Sequence, residues 1–553
     1  MSMRPDLDRA RPGAEGRLRA SLPRSRAGGA PERRSLASSS PSREGRRPGV
    51  RGFLTRHSVL LACLSTLVVH LLSLTRRLHP DEGGFAMVAR YAREPGGYLY
   101  GPQWVDRPPG LVAVFGIANR LGPYGVRLVA TLLAVLLVAA LASAAGGLGG
   151  RTAARWAAWT GFAFASSLLI EAQRLNGELV AATFVAGSVA LLVRAVGGSS
   201  RRSGTLLPGV LAGASASSAL LVKQSFVDAF VFAGVLLLLA GLTRANRLRY
   251  PPRRVWTTGG AFLAGAVVPA AATVVWARSR GGLGALGYAM FGFRGDAAGV
   301  MAGWSLSAPL HRLGGMLVLG LLSGLLVLLL QLAVSNWRLL RQVEPVPWAI
   351  AATVAVELLG IAAGENYWAH YLVALVPMVC VAAGLSVARR LPGWRVTTLL
   401  VVVSVLATAV WSPLSAVRAT RAPSEAYTTG RWVSASAAPH DTIVVPFTRA
   451  NVINASGLRP TYPYSWSLPV RTLDPHLTLL VTTLDGPTAP TWLVRWDKPH
   501  PWGLDPQDRV DAALHAHYRD VATVCGHGIW LHDGLNRNLA RSPTPARCGT
   551  AGS

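Results

Sequence analysis

The chain has 553 residues, 51% of them hydrophobic and only 15% charged, and its mean hydropathy is +0.35. Runs such as LVATLLAVLLVAALASAA and LVLGLLSGLLVLLLQLAV approach or reach the length that crosses a bilayer. This excludes a string of soluble domains, a cytoplasmic enzyme and a fibre, and leaves an α-helical multi-pass membrane protein. The net charge is +29, and only two of the 55 basic residues are Lys, Lys223 and Lys498. The Arg residues are scattered over a tail and short loops, with no basic stripe interleaved with aromatics. Membrane topology therefore accounts for the charge better than nucleic acid does.

In chain order, residues 1–56 come first, with fourteen Arg against five acids and no periodicity. Such a segment buries too little apolar surface to order itself, so a disordered basic tail is predicted. The apolar run from Ser58 to Leu74 has no small-residue cleavage site and reads as a retained anchor. Eleven spans are predicted, at 57–76, 123–145, 153–170, 178–196, 205–222, 226–242, 256–276, 313–333, 347–363, 370–388 and 396–411. The loops on the tail's side carry Arg201, Arg202, Arg244, Arg247, Arg249, Arg253, Arg254, Arg338, Arg341, Arg389 and Arg390, with Glu344 as their acid. That bias makes the N-terminus cytoplasmic, and an odd number of spans puts the C-terminal region outside. The first outer loop is itself rich in Arg and does not help the assignment.

Residues 57–411 thus form a transmembrane domain, and 412–553 a small extracytoplasmic α/β domain. In the latter, DTIVVPF and PTWLVRW read as buried strands, PQDRVDAALHAHYRDV as a helix, and GIWL as a further strand. Cys63 and Cys380 fall in spans and read as packed thiols. Cys525 and Cys548 both lie in the outer, oxidising compartment, where a disulfide is predicted; two separate thiols are the alternative.

The first outer loop, HPDEGGFAMVARYAREPGGYLYGPQWVDRPPGLVAVFGIANRLG, carries the chemistry. Phe85, Val88, Ala89 and Ala92 repeat at helical spacing, which predicts an amphipathic helix lying in the membrane interface. Asp81 stands at its N-terminal end, where a carboxylate can simply cap the helix. A second short helix, Pro109 to Leu121, follows Asp106-Arg107-Pro108-Pro109; on its own, Asp106-Arg107 is equally a solvated ion pair. More polar groups fall on the same side: Glu171, Arg174, Asn176 and Glu178; Lys223, Gln224 and Asp228; and Glu365, Asn366, Tyr367 and His370. Their accumulation there, opposite a nearly acid-free side, points to an outward-facing polar cavity.

These motifs, in this order, resemble the GT-C glycosyltransferases, in particular the bacterial branch with protein O-mannosyltransferases and lipid-A aminoarabinose transferases. The resemblance rests on Asp81-Glu82 after the first span, then the interfacial helix, then Asp106-Arg107-Pro108-Pro109. LNGELVAATFVAGSVALLVRA, LVKQSFVDAFVF and YWAHYLVALVPMVCVAAGL continue it, over about residues 57–411. It departs from relatives that have Glu-Lys before Pro-Pro, or Asp where this chain has Glu178.

The resemblance implies transfer of a sugar from a polyprenyl-phosphate donor to an extracytoplasmic hydroxyl, by single displacement with inversion. The acceptor would be a cell-envelope glycan, lipid or protein, with membrane lipid around the donor tail and no nucleic acid. Arg107, Arg174 and Lys223 would bind the donor phosphate. Asp81 would be the base, and Glu82 or Asp106 would orient the acceptor or help hold a divalent metal ion. Glu178, Tyr367, His370 and Tyr371 would line the acceptor cavity. Asp81, Glu82 and His370 are the candidate metal ligands, although a lone His such as His370 or His311 commonly serves packing. The rival classes are a transporter, against which only Glu357 lies deep in a span and no internal repeat is present, and an inactive scaffold.

Overall fold

A computed structural model describes residues 57–197, 203–242, 244–280, 282–303, 307–364, 366–447, 449–497 and 503–549. The Arg-rich segment 1–56 lies outside the described residues, as do Glu365 and Lys498.

Among the described residues, six helices are long and apolar enough to cross a membrane, alongside three shorter apolar helices, Ser58–Leu71, Leu206–Val222 and Asp228–Leu242. One of them, Gly125–Ala165, covers most of two of the predicted spans. It turns at Gly150, whose φ of 73° and ψ of −169° suit only glycine. The two arms lie against each other, since a Cβ on Gly161 would meet Leu141 and Val138 at 3.1 and 3.4 Å. Ala144, Ala145, Ala153, Ala157 and Ala158 are fully buried in this region. Lipid tails are as apolar as side chains, so close approach of backbones at small residues, not hydrophobicity, joins helices there.

Several predicted boundaries change. The span expected at 313–333 is two helices, Ser307–Leu322 and Leu325–Arg341, broken at Gly324 with φ 80°. The span expected at 153–170 ends at Ala165, and the polar loop begins earlier. The last long helix, Trp394–Arg421, runs past Trp411, so the chain leaves it later than the boundary expected at 411.

Two short helices lie in the first long loop, Pro80–Tyr91 and Pro109–Arg120, each with proline in its first turn, where a missing N–H costs nothing. The C-terminal region is an α/β domain with one five-stranded sheet in the order β2-β1-β3-β5-β4. The strands are β1 Thr442–Val444, β2 Arg459–Pro460, β3 Trp492–Arg495, β4 Tyr518–Val524 and β5 His527–His532. β1 pairs in parallel with β2 and β3, while β3-β5 and β5-β4 are antiparallel. The helix predicted from PQDRVDAALHAHYRDV stops at His517 and Tyr518 opens β4. The residues after it, including Thr523 and Val524, favour a pleated surface and pair with β5 across the Cys525-Gly526 turn, with the register shifting at Val521. Cys525 is bonded to Cys548, with their Cα atoms 5.1 Å apart. Asp441 anchors the chain's return by accepting from Arg537, Trp492 Nε1 and the Ala438 N–H.

Candidate active site

Adjacent acids at the start of the Pro80–Tyr91 helix face different surroundings. Glu82, the third residue of the helix, accepts from the His79 backbone N–H at 2.9 Å, as in a capping box. Its carboxylate also pairs with both terminal nitrogens of Arg127 and accepts from the Leu175 N–H at 3.0 Å. Arg127 in turn donates to the Arg77 carbonyl at 2.9 Å. Glu82 is 1% exposed. Burial alone would raise its pKa, but Arg127 outweighs burial and holds it below the ordinary range. Glu82 is therefore a structural clasp between the Pro80–Tyr91 helix, the Gly125–Ala165 hairpin and the loop before Gly177. The expectation that Glu82 acts on the acceptor or a metal is corrected, because both of its oxygens are already engaged.

Asp81 points elsewhere. Its side chain is 41% exposed, with Oδ2 3.8 Å from His79 Nδ1. Oδ1 accepts from Trp466 Nε1 at 2.9 Å. Trp466 belongs to the α/β domain, which lies directly on this helix. A Cβ on Gly83 would stand 2.6 Å from Asn451, and one on Gly84 2.4 Å from the Trp466 ring. The two glycines of DEGG thus admit the α/β domain to the helix that carries Asp81.

In the Asp106-Arg107-Pro108-Pro109 turn, Asp106 Oδ2 accepts from Arg107 Nη1 and from Arg294 Nη2, each at 2.6 Å. Burial pushes the Asp106 carboxyl up, but Arg107 and then Arg294 outweigh it and keep it below the carboxylate range. An aspartate held by two guanidiniums is a poor base and a good tether for cations. Burial disfavours charge on Arg107, but Asp106, Tyr371, Glu178 and Asp81 together raise its pKa, so all four lie within electrostatic reach of one guanidinium. Arg294, on the Phe293–Ala302 helix, was not singled out in the sequence.

A chain of ionisable groups runs beside this turn. Arg174 pairs with Glu171 at 2.7 Å, and Glu171 with His370 Nδ1 at 3.0 Å. His370 Nε2 lies 3.7 Å from Glu178, which pairs with Lys223 at 2.5 Å. Lys223 Nζ stands 4.5 Å over the Tyr371 ring. Gln224 Nε2 donates to the Asp106 carbonyl at 3.4 Å, joining the two groups. Against the pull of burial, the His370 hydrogen bond and Arg174 bring Glu171 down to about 2. Tyr367 departs from expectation, because its hydroxyl donates to the Ala362 carbonyl at 3.1 Å and not to this chain.

The three candidate metal ligands do not form a donor set. Glu82 is saturated by Arg127 and two backbone N–H groups, and His370 is engaged by Glu171. Among the described residues no group of three His, Cys, Asp or Glu has metal-binding geometry.

Beside the Arg107 turn lies a groove of about 570 Å³ between the Pro80–Tyr91, Pro109–Arg120 and Pro252–Arg280 helices. Pro109, Leu99, Val112 and Trp276 line it, with Arg93 and Arg280.

The chain superposes on ArnT from Cupriavidus metallidurans in its apo state with a TM-score of 0.57 and 16% identity, over 85% of this chain and 97% of that one. The same protein bound to undecaprenyl phosphate gives 0.56 at 16% identity, with the same coverage. This chain shares the fold of ArnT. Archaeal oligosaccharyltransferase AglB from Archaeoglobus fulgidus, in complex with an inhibitory peptide and a dolichol-phosphate, is also similar. It matches with a TM-score of 0.50 and 12% identity, over 80% of this chain and 69% of that one. No family profile matches the sequence, and no curated protein does so significantly.

Proposed function

We propose that this protein is a membrane glycosyltransferase that moves a sugar from a polyprenyl-phosphate donor to an acceptor hydroxyl outside the cytoplasm. The observation that carries the reading is the linked set of Arg107, Asp106 and Arg294, joined through Gln224 to Lys223, Glu178 and Tyr371. Residues from five separate stretches of chain have no packing reason to bring so much charge to one place. The ArnT relative's complex with undecaprenyl phosphate supports a lipid-phosphate donor.

In this mechanism Asp81 removes the proton from the acceptor hydroxyl as its oxygen attacks the anomeric carbon. The bond between that carbon and the phosphate oxygen breaks, and the polyprenyl phosphate leaves with the electron pair. One displacement on the face opposite the leaving group inverts the centre. The leaving phosphate gains charge, which Arg107, Lys223 and Arg294 are placed to stabilise, while Arg174 acts more remotely through Glu171 and His370. Asp106 tethers Arg107 and Arg294 and is not a second base. Glu178, His370 and Tyr371 form the wall against which the acceptor packs. The donor's hydrocarbon would enter the groove beside Pro109 and Trp276. The active site would face outward, with the N-terminus cytoplasmic and the α/β domain extracytoplasmic.

The decisive experiment is Asp81→Asn, which keeps shape and removes the base. Transfer should fall roughly 10²–10⁴-fold, the worth of a positioned base, at unchanged melting temperature. An Asp81→Asn enzyme with normal turnover would refute the assignment.

A further inference from the structure

We propose that Trp466, from the outer α/β domain, is a positioning residue of the active site: its indole N–H holds one oxygen of Asp81 and leaves the other for the acceptor. The inference rests on Asp81 being the base.

Asp81 is the second residue of its helix, where a carboxylate is drawn towards the helix's own free N–H groups. An Asp turned that way is a cap and not a base. Trp466 Nε1 donates to Oδ1 at 2.9 Å, while Oδ2 stands 3.8 Å from His79, beyond hydrogen-bond reach. The indole suits this task, because it donates only and neither titrates nor competes for the acceptor's proton. Burial and then Arg174 push the pKa of the neighbouring His79 down, against the pull of Asp81.

The ring itself is held firmly. Its centroid lies 5.3 Å from that of Phe85, on the same helix as Asp81. The missing side chain of Gly84 leaves it room, since a Cβ there would come within 2.4 Å of the ring and 3.0 Å of Ala450. Asn451 fixes the next contact by donating to the Leu78 carbonyl at 3.2 Å, and Tyr91 reaches back to the Gly457 carbonyl at 2.7 Å. The outer domain therefore grips the helix at both ends and places one donor on the reactive carboxylate. Its presence completes the site.

The test follows consumption of the endogenous polyprenyl-phosphate sugar in unsealed membranes by mass spectrometry. Trp466→Phe keeps most of the ring and removes the donor. Its rate should fall roughly 10- to 100-fold, the effect of losing one hydrogen bond to a charged group, at unchanged melting temperature. Added to Asp81→Asn, it should cause no further loss, because it acts through Asp81. The indole N–H resonance absent from Trp466→Phe should be displaced in Asp81→Asn. Should Trp466→Phe fold poorly, Gly84→Ala displaces the ring and should likewise slow the enzyme only while Asp81 is present. A wild-type rate for Trp466→Phe beside a slow Asp81→Asn overturns this inference alone. So do additive losses in the double variant, or an unmoved indole resonance. A wild-type rate for Asp81→Asn overturns the reading beneath it.

Discussion

Replacing Glu82 with Gln separates fold from chemistry at this site. The substitution keeps size and shape, but it leaves the Arg127 guanidinium, 5% exposed, without a counter-ion. Removing one partner of a buried ion pair costs about 3–5 kcal/mol. The new amide also turns an NH₂ group towards donors, since the carboxylate accepts from Arg127, His79 N–H and Leu175 N–H together. A buried donor left facing a donor costs about 1–3 kcal/mol, and the two losses overlap because they share one carboxylate. The expected destabilisation is about 4 kcal/mol, read as a lower midpoint of thermal unfolding in detergent, with activity lost in proportion to folded protein. Removing both charges, as Glu82→Gln with Arg127→Leu, should recover part of that stability. A Glu82→Gln enzyme that melts like wild type yet turns over slowly would refute the structural role and return Glu82 to the chemistry.

Acid should weaken the Glu171 contacts. Its folded pKa of about 2 lies below the ordinary 4.5, so its stabilisation is full above pH 4.5 and is lost as pH falls towards 2. That displacement corresponds to roughly 3 kcal/mol, and over this window Glu171→Gln should melt with a shallower pH dependence than wild type. Reduction of Cys525–Cys548, which close a loop over 23 positions, should lower the stability of the α/β domain by roughly 3 kcal/mol; Cys525→Ser should show the same loss and be insensitive to reductant. A reporter active only outside the membrane should work when fused after Ala422 and be silent at Arg247; the reverse pattern would overturn the orientation.

What was legible in the sequence was local. Phe85, Val88, Ala89 and Ala92 announced the Pro80–Tyr91 helix, and Pro109 announced the next one, because spacing and proline act within a turn or two. The different settings of Asp81 and Glu82 were only half visible. An acid three residues after a helix cap signals a capping box, but Arg127 lies 45 residues away and nothing local pairs it with Glu82. Arg294 reaches Asp106 across 188 residues from a stretch without a clear period, and Trp466 reaches Asp81 across 385. The strand at Tyr518–Val524 was hidden because HAHYRDV continues a helical pattern, and its pairing with His527–His532 overrides that pattern. Tyr367 was grouped with His370 by proximity in sequence, although its φ of 47° belongs to a turn and its hydroxyl bonds Ala362.

The fold-back at Gly150 also bears on how the chain is assembled into a bilayer. The two arms of Gly125–Ala165 are joined through a single non-helical residue, so no tether allows one arm to settle before the other. Each would present an alanine-rich face to lipid if it entered alone, with little packing to hold it. The pair is therefore best delivered as one preformed wedge, a helical hairpin leaving the insertion machinery in a single step. Arg151 and Arg155, just beyond the bend, would keep its tip from crossing. A nascent chain halted before Ala165 should remain with the machinery, and one that includes it should be released into lipid. At Gly150 a bulkier residue would then register first as a defect of biogenesis, before any defect of turnover.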